Sequence, residues 1–110
     1  HGHAVSLSIG KFYEHNCRED LYKKNNSERF LKTTMSELNR IMNVADGREG
    51  KAKINSIIAR IGLPLKLPNS VDYNSTVYRV IKNINLERLA NNPVEVKAED
   101  ISKIFKSICT

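Results

Sequence analysis

Between Asp46 and Pro64 the chain reads DGREGKAKINSIIARIGLP. Asp46 and Glu49 stand three apart, the spacing at which a cap carboxylate and a glutamate one turn later satisfy each other's backbone amides. Ile54, Ile57, Ile58 and Ile61 recur at spacings of three and four, which places them on one helical face. Gly62 supplies the conformational freedom that closes a helix, and Leu63-Pro64 cannot continue it. Start, apolar face and stop all agree on a helix.

The same period repeats on both sides. Upstream, Ser27 precedes Leu31, Met35, Leu38, Ile41 and Met42, a second helix with a serine at its start. The polar residues from Asn16 to Asn26 read as a loop with room for one helical turn. From His1 to about Asn16 a further helix carries Val5, Ile9, Phe12 and Tyr13 on one stripe. Ala4, Leu7, Ser6, Ser8 and Gly10 make its other faces apolar or small. Such a helix is expected to be buried. Gly10 costs about 1 kcal/mol there relative to alanine, tolerable where another backbone packs closely. Downstream, residues 63–70 with two prolines form an extended connector. Val77, Val80, Ile81 and Ile84 mark a helix capped by Asn74 or Ser75. Asn91-Asn92-Pro93 breaks the chain, and Ile101, Ile104, Phe105 and Ile108 stripe the last helix. No stretch alternates with period two between hairpin turns, so no sheet is expected. The fold class is all-α, a single domain over 1–110 built as a bundle of about five to seven helices.

The totals agree with a packed domain. The chain has 110 residues, 40% hydrophobic and 27% charged, which is ordinary globular composition with neither a membrane span nor a disordered tract. Cys17 and Cys109 have no zinc or redox spacing, and two unpaired thiols point to a reducing, cytoplasmic location. The net charge of +6 raises the question of an anionic partner. Lys23 and Lys24 are only a pair, and Arg48, Lys51, Lys53 and Arg60 read as a solvated helix face. No aromatic residues interleave with them as a nucleic-acid groove requires. Nucleic acid and membrane are therefore not expected partners.

Most catalytic signatures are missing. Gly47 to Lys51 is too short for a phosphate loop and lacks the following serine or threonine, and no nucleophile elbow or Cys–His pair stands out. What remains is His1-Gly2-His3-Ala4-Val5, opening an apolar helix. A histidine at such a start can offer a ring nitrogen to a metal, although terminal histidines are more often exposed. His15 reads as a partly exposed helix residue.

His1-Gly2-x-Ala4-Val5, with Lys11-Phe12-Tyr13-Glu14-His15-Asn16 closing the helix, resembles the H-G-x-A segment of iron-containing alcohol dehydrogenases and the related dehydroquinate synthases. Gly62-Leu63-Pro64 resembles that family's helix exit, Asn91-Asn92-Pro93 its N-P turn, and Glu99-Asp100-Ile101 the opening of its last helix. The four segments come in the family's order and span the chain. The resemblance implies the C-terminal, metal-binding half of a two-domain enzyme whose nucleotide-binding half lies upstream of His1. It implies that His1 is one ligand of a divalent metal, iron or zinc, that polarises an aldehyde carbonyl while NAD(P)H delivers hydride. The remaining ligands, an aspartate and two histidines, would lie upstream. One imidazole cannot hold a metal alone, so the fragment is expected to be inactive and to hold no cofactor firmly. The expected partners are the missing N-terminal domain, a small aldehyde or alcohol, and a second copy through whatever apolar face the missing half leaves open. The R-x-K-K segment of dehydroquinate synthases does not appear, although a cyclase or lyase of that kind is the alternative within the superfamily. A free-standing helical interaction module is the alternative outside it. The segment from Asn85 to Pro93 looks most like a subgroup acting on phosphonate aldehydes. There Arg88 is the candidate substrate-binding residue, a fork able to grip a phosphonate, against the plainer alternative of pairing with Glu87. Lys97 departs from the family's Thr or Ser cap, which predicts fraying of the last helix.

Overall fold

The computed structural model describes residues 2–24, 27–68 and 72–109, with the backbone alone at 23 and 24. Among the described residues six α-helices follow one another: α1 Gly2–Asn16, α2 Glu28–Met42, α3 Gly47–Arg60, α4 Tyr73–Asn83, α5 Leu86–Leu89 and α6 Ala98–Cys109. A 3₁₀ helix, Glu19–Lys24, lies between α1 and α2. No strand occurs among the described residues, as the periodicity predicts.

α3 forms as its punctuation dictates. Asp46 Oδ1 accepts the Glu49 amide at 2.9 Å, and Glu49 Oε2 accepts the Ala45 amide at 2.8 Å. The glutamate thus reaches one residue further back than a standard capping box. At the other end Gly62 takes φ 85°. α4 is capped by Asp72, whose Oδ2 accepts the Ser75 amide at 3.0 Å, rather than by Asn74 or Ser75. A carboxylate one turn earlier is the stronger acceptor, so the helix begins sooner than its apolar stripe. Ser27 occupies the N-cap position of α2 without a side-chain cap hydrogen bond. At Lys97 the missing hydroxyl is partly replaced, because Asp100 Oδ2 accepts the Lys97 amide at 2.8 Å.

α1 is the axis of the bundle, with α3 and α6 packed against it. The contact with α3 is a backbone approach. A Cβ on Gly47 would stand 2.6 Å from Cys17 Cβ, and one on Gly50 would run into the Tyr13 ring. Gly10 is held the same way, its missing Cβ position lying 3.3 Å from the Lys51 carbonyl oxygen. The expectation of a close neighbour for Gly10 is met. The expectation of an enclosed α1 is not: Val5 and Ile9 are each 46% exposed and Ala4 is exposed. The contacts with α3 and α6 leave this side partly open, with Ile54, Ile57 and Ile58 of α3 bordering Val5 and Ile9 without enclosing them.

The tightest core lies at the other end of α1. Tyr22, Leu31, Met35 and Val94 pack together, with Tyr13, Cys17 and Leu21 against them. Tyr22 is the most buried side chain although it sits in the polar stretch read as a loop. Its hydroxyl donates to the Asn16 carbonyl, which explains how a phenol is tolerated there. α4 packs on α6 through Tyr73, whose ring lies 6.2 Å from that of Phe105.

Two outcomes follow. Gly47→Ala gains up to about 1 kcal/mol of helix propensity but collides with a Cβ that cannot swing aside, a strain of about 1–3 kcal/mol. We expect a lower thermal midpoint and a looser α1–α3 contact, with Gly50→Ala behaving alike because the Tyr13 hydroxyl is tied to Asn39 at 2.6 Å. The second concerns pH. Burial raises the Tyr22 phenol to about 12 from the ordinary 10. The folded chain therefore keeps a proton that the unfolded chain has lost, and this stability, present below pH 10, disappears as pH rises towards 12. The loss is about 2–3 kcal/mol. Denaturant midpoints measured from pH 9 to 12 should fall more steeply for the parent chain than for Tyr22→Phe.

Candidate functional site

His1 lies outside the described residues. The helix that it precedes begins at Gly2, where His3 is exposed and its Nε2–H donates to the Pro64 carbonyl at 3.2 Å. That bond sets the first turn of α1 beside the G-L-P exit of α3. At the other end of α1 His15 is buried, not partly exposed, with 7% of its surface accessible. Its Nε2–H donates to the Glu95 carbonyl at 2.7 Å, a partner that no local spacing reveals. Asn16 and Asn92 exchange side-chain amide bonds of 3.2 and 2.7 Å, and Asn92 also donates to the Val94 carbonyl at 2.6 Å. The N-P turn is thereby fastened to the C-terminal end of α1.

Arg88 is exposed on α5. Its amide donates to Asn85 Oδ1 at 2.9 Å, and its side chain forms no ion pair among the described residues, with Glu87 or otherwise. Its carbonyl accepts the Asn91 amide at 3.1 Å, next to the turn that Asn16 holds. α1 has 15 residues and so runs about 21 Å. Arg88 and Gly2 therefore belong to opposite ends of this helix, and the structure does not bring them together.

Among the described residues no group of three or more His, Cys, Asp or Glu side chains could hold a metal ion. His3 and His15 are each engaged with a backbone carbonyl. The described part of the chain therefore does not fit a metal centre by itself. No described helix is long and apolar enough to cross a membrane.

Among the described residues, one apolar and one charged concave surface border α1. The first, about 260 Å³, is lined by Gly2, Val5, Ser6 and Ile9 of α1 and by Ile54, Ile57 and Ile58 of α3, and is almost wholly apolar. Ile57 is 53% exposed on its wall, and the exposed Ile61 extends the same edge of α3. The second, about 270 Å³, lies where α1 and α3 meet α6. It gathers Lys11, Arg18, Lys51 and Lys103 around Glu14 and Asp100. Glu14 is ion-paired to Lys51, so Lys51 is half-buried rather than part of a solvated face; Arg48, Lys53 and Arg60 are exposed as expected. Lys11 donates to the Leu7 carbonyl at 3.3 Å, and burial together with the Lys51 ammonium pulls its own ammonium below the usual range. The sequence hides this cluster because its cations come from three separated segments. The one local trace is the spacing of Lys11, Glu14 and Arg18, which share a face of α1 and its extension.

No family model, no curated protein and no solved structure matches this chain.

Proposed function

We propose that this chain is the helical, metal-binding half of a two-domain, NAD(P)-linked metal-dependent alcohol dehydrogenase that reduces a small aldehyde. The observation that carries the reading is the apolar groove along the first half of α1. Val5, Ile9 and Ile57 are large side chains facing outward together, a patch that marks a surface made to be covered. It borders the helix start that His1 precedes. The N-terminal nucleotide-binding half is the occupant proposed for it. Further support is that the four family-like segments each have work in this fold. Gly2 to Ala4 and Gly62 to Pro64 adjoin through His3, the N-P turn is held by Asn16, and Asp100 closes the start of α6.

His1 supplies one ligand of the iron or zinc in this reading, and the other ligands and the cofactor site belong to the upstream half. No reaction step is assigned to residues of this chain. For Arg88 the reading requires the complete protein's cleft to run the length of α1, since its backbone sits near the far end.

The test is made on the complete reading frame. His1→Ala should lower metal content and kcat/KM together, activity falling on the order of a hundredfold or more, while NAD(P)H binding followed by fluorescence is retained. Unchanged metal content would remove His1 from the site. In the same preparation Arg88→Lys should reduce the kcat/KM ratio between a phosphonate aldehyde and a neutral one, because a point charge cannot copy the fork. An unchanged ratio would remove Arg88.

A further inference from the structure

We infer that the cationic pocket between α1, α3 and α6 binds the phosphate group of a small molecule. Its lining brings four cations and two carboxylates around about 270 Å³, close to the lower end of small-molecule pockets. The two carboxylates have partners of their own. Glu14 is paired with Lys51, and Asp100 accepts the amide of Lys97 at the start of its own helix. Arg18 is shared with Asp20 at 2.9 Å on the rim, which leaves guanidinium N–H groups over. Lys11 and Lys103 form no ion pair among the described residues, and they reach the pocket from two different helices, α1 and α6.

The charge is held there at a cost that an anion would relieve. Lys11 is half-buried, and the like charges of Lys51 and, more weakly, Lys66 act on its ammonium, with Glu14 opposing them. A dianionic phosphate fits better than a carboxylate, because two unpaired ammonium groups and a partly free guanidinium can each donate to a different oxygen. Ile104 and the lysine stems give the pocket an apolar side for a few carbon atoms. The inference is independent of the two-domain reading, since the pocket is built from residues of this chain alone.

Isothermal calorimetry on the full chain, at constant ionic strength with chloride as the balancing anion, tests it with inorganic phosphate and with phenyl phosphate. Saturable one-to-one binding is expected. Tighter binding of phenyl phosphate would identify a phosphorylated small molecule as the ligand class, and equal binding would identify free phosphate; either supports the site. Lys11→Met and Lys103→Met keep the stems and remove the charge, and each should weaken binding about tenfold. Lys103 is exposed, so its variant folds even where Lys11→Met does not. Lys32→Met on α2 should bind as the parent does. The inference is overturned if neither ligand gives saturable heat up to about 10 mM. It is overturned equally if Lys103→Met binds like the parent, or if Lys32→Met loses as much as the pocket variants.

Discussion

The approach of α3 to α1 at Gly47 and Gly50 is the constraint on which the rest of the arrangement depends. With Cys17 Cβ and the Tyr13 ring filling the space where side chains would stand, the two helices have one way to meet. Interiors are packed densely enough that such a contact sets position to a fraction of an ångström. Lys51, the residue after Gly50, is thereby carried onto Glu14 and into the cationic pocket. On the other side of the same contact, Ile54, Ile57 and Ile58 line up beside Val5 and Ile9 to form the apolar groove. One backbone contact produces both surfaces.

The two ends of α1 are treated differently. The C-terminal end is enclosed: Tyr22 donates to the Asn16 carbonyl, His15 reaches Glu95, and Asn16 clasps Asn92, so residues distant in sequence satisfy one another's polar groups. Leaving such groups buried and unpaired would cost about 1–3 kcal/mol each, which gives the N-P turn and the 3₁₀ helix their positions. The first turns are tied to a distant segment by the His3–Pro64 bond and have a partial apolar cover. The bundle is finished at one end and open at the other.

What the sequence discloses follows from the range of the forces involved. The ends of α3 are legible because Asp46, Glu49 and Gly62 act within one turn. The stripes of α2 and α6 are legible in part: Leu31 and Met35, and Ile101 and Ile108, recur with the helical period and are buried, whereas Leu38 and Ile41 of the α2 stripe are exposed. Tyr22 is not legible as core, since its burial depends on Leu31, Met35 and Val94 closing around a stretch of polar neighbours. His15 looks like a surface residue until Glu95, eighty positions away, supplies its acceptor. The burial expected of α1 fails for a related reason: an apolar helix states that it wants cover, not which segment provides it. The G-L-P and N-P segments are readable as spellings, but their attachment to the two ends of α1, through His3 and Asn16, appears only in the fold.

On the proposed two-domain reading, the first half of α1 is an interior surface without its cover. Sedimentation equilibrium of the 110-residue chain, alone and as Ile57→Glu, measures this most directly. The groove should drive reversible, concentration-dependent association of the parent chain, and Ile57→Glu should abolish it while leaving the thermal midpoint in place, because that side chain lies outside the core. A parent chain that stays monomeric throughout, or association indifferent to a charge at position 57, would contradict it.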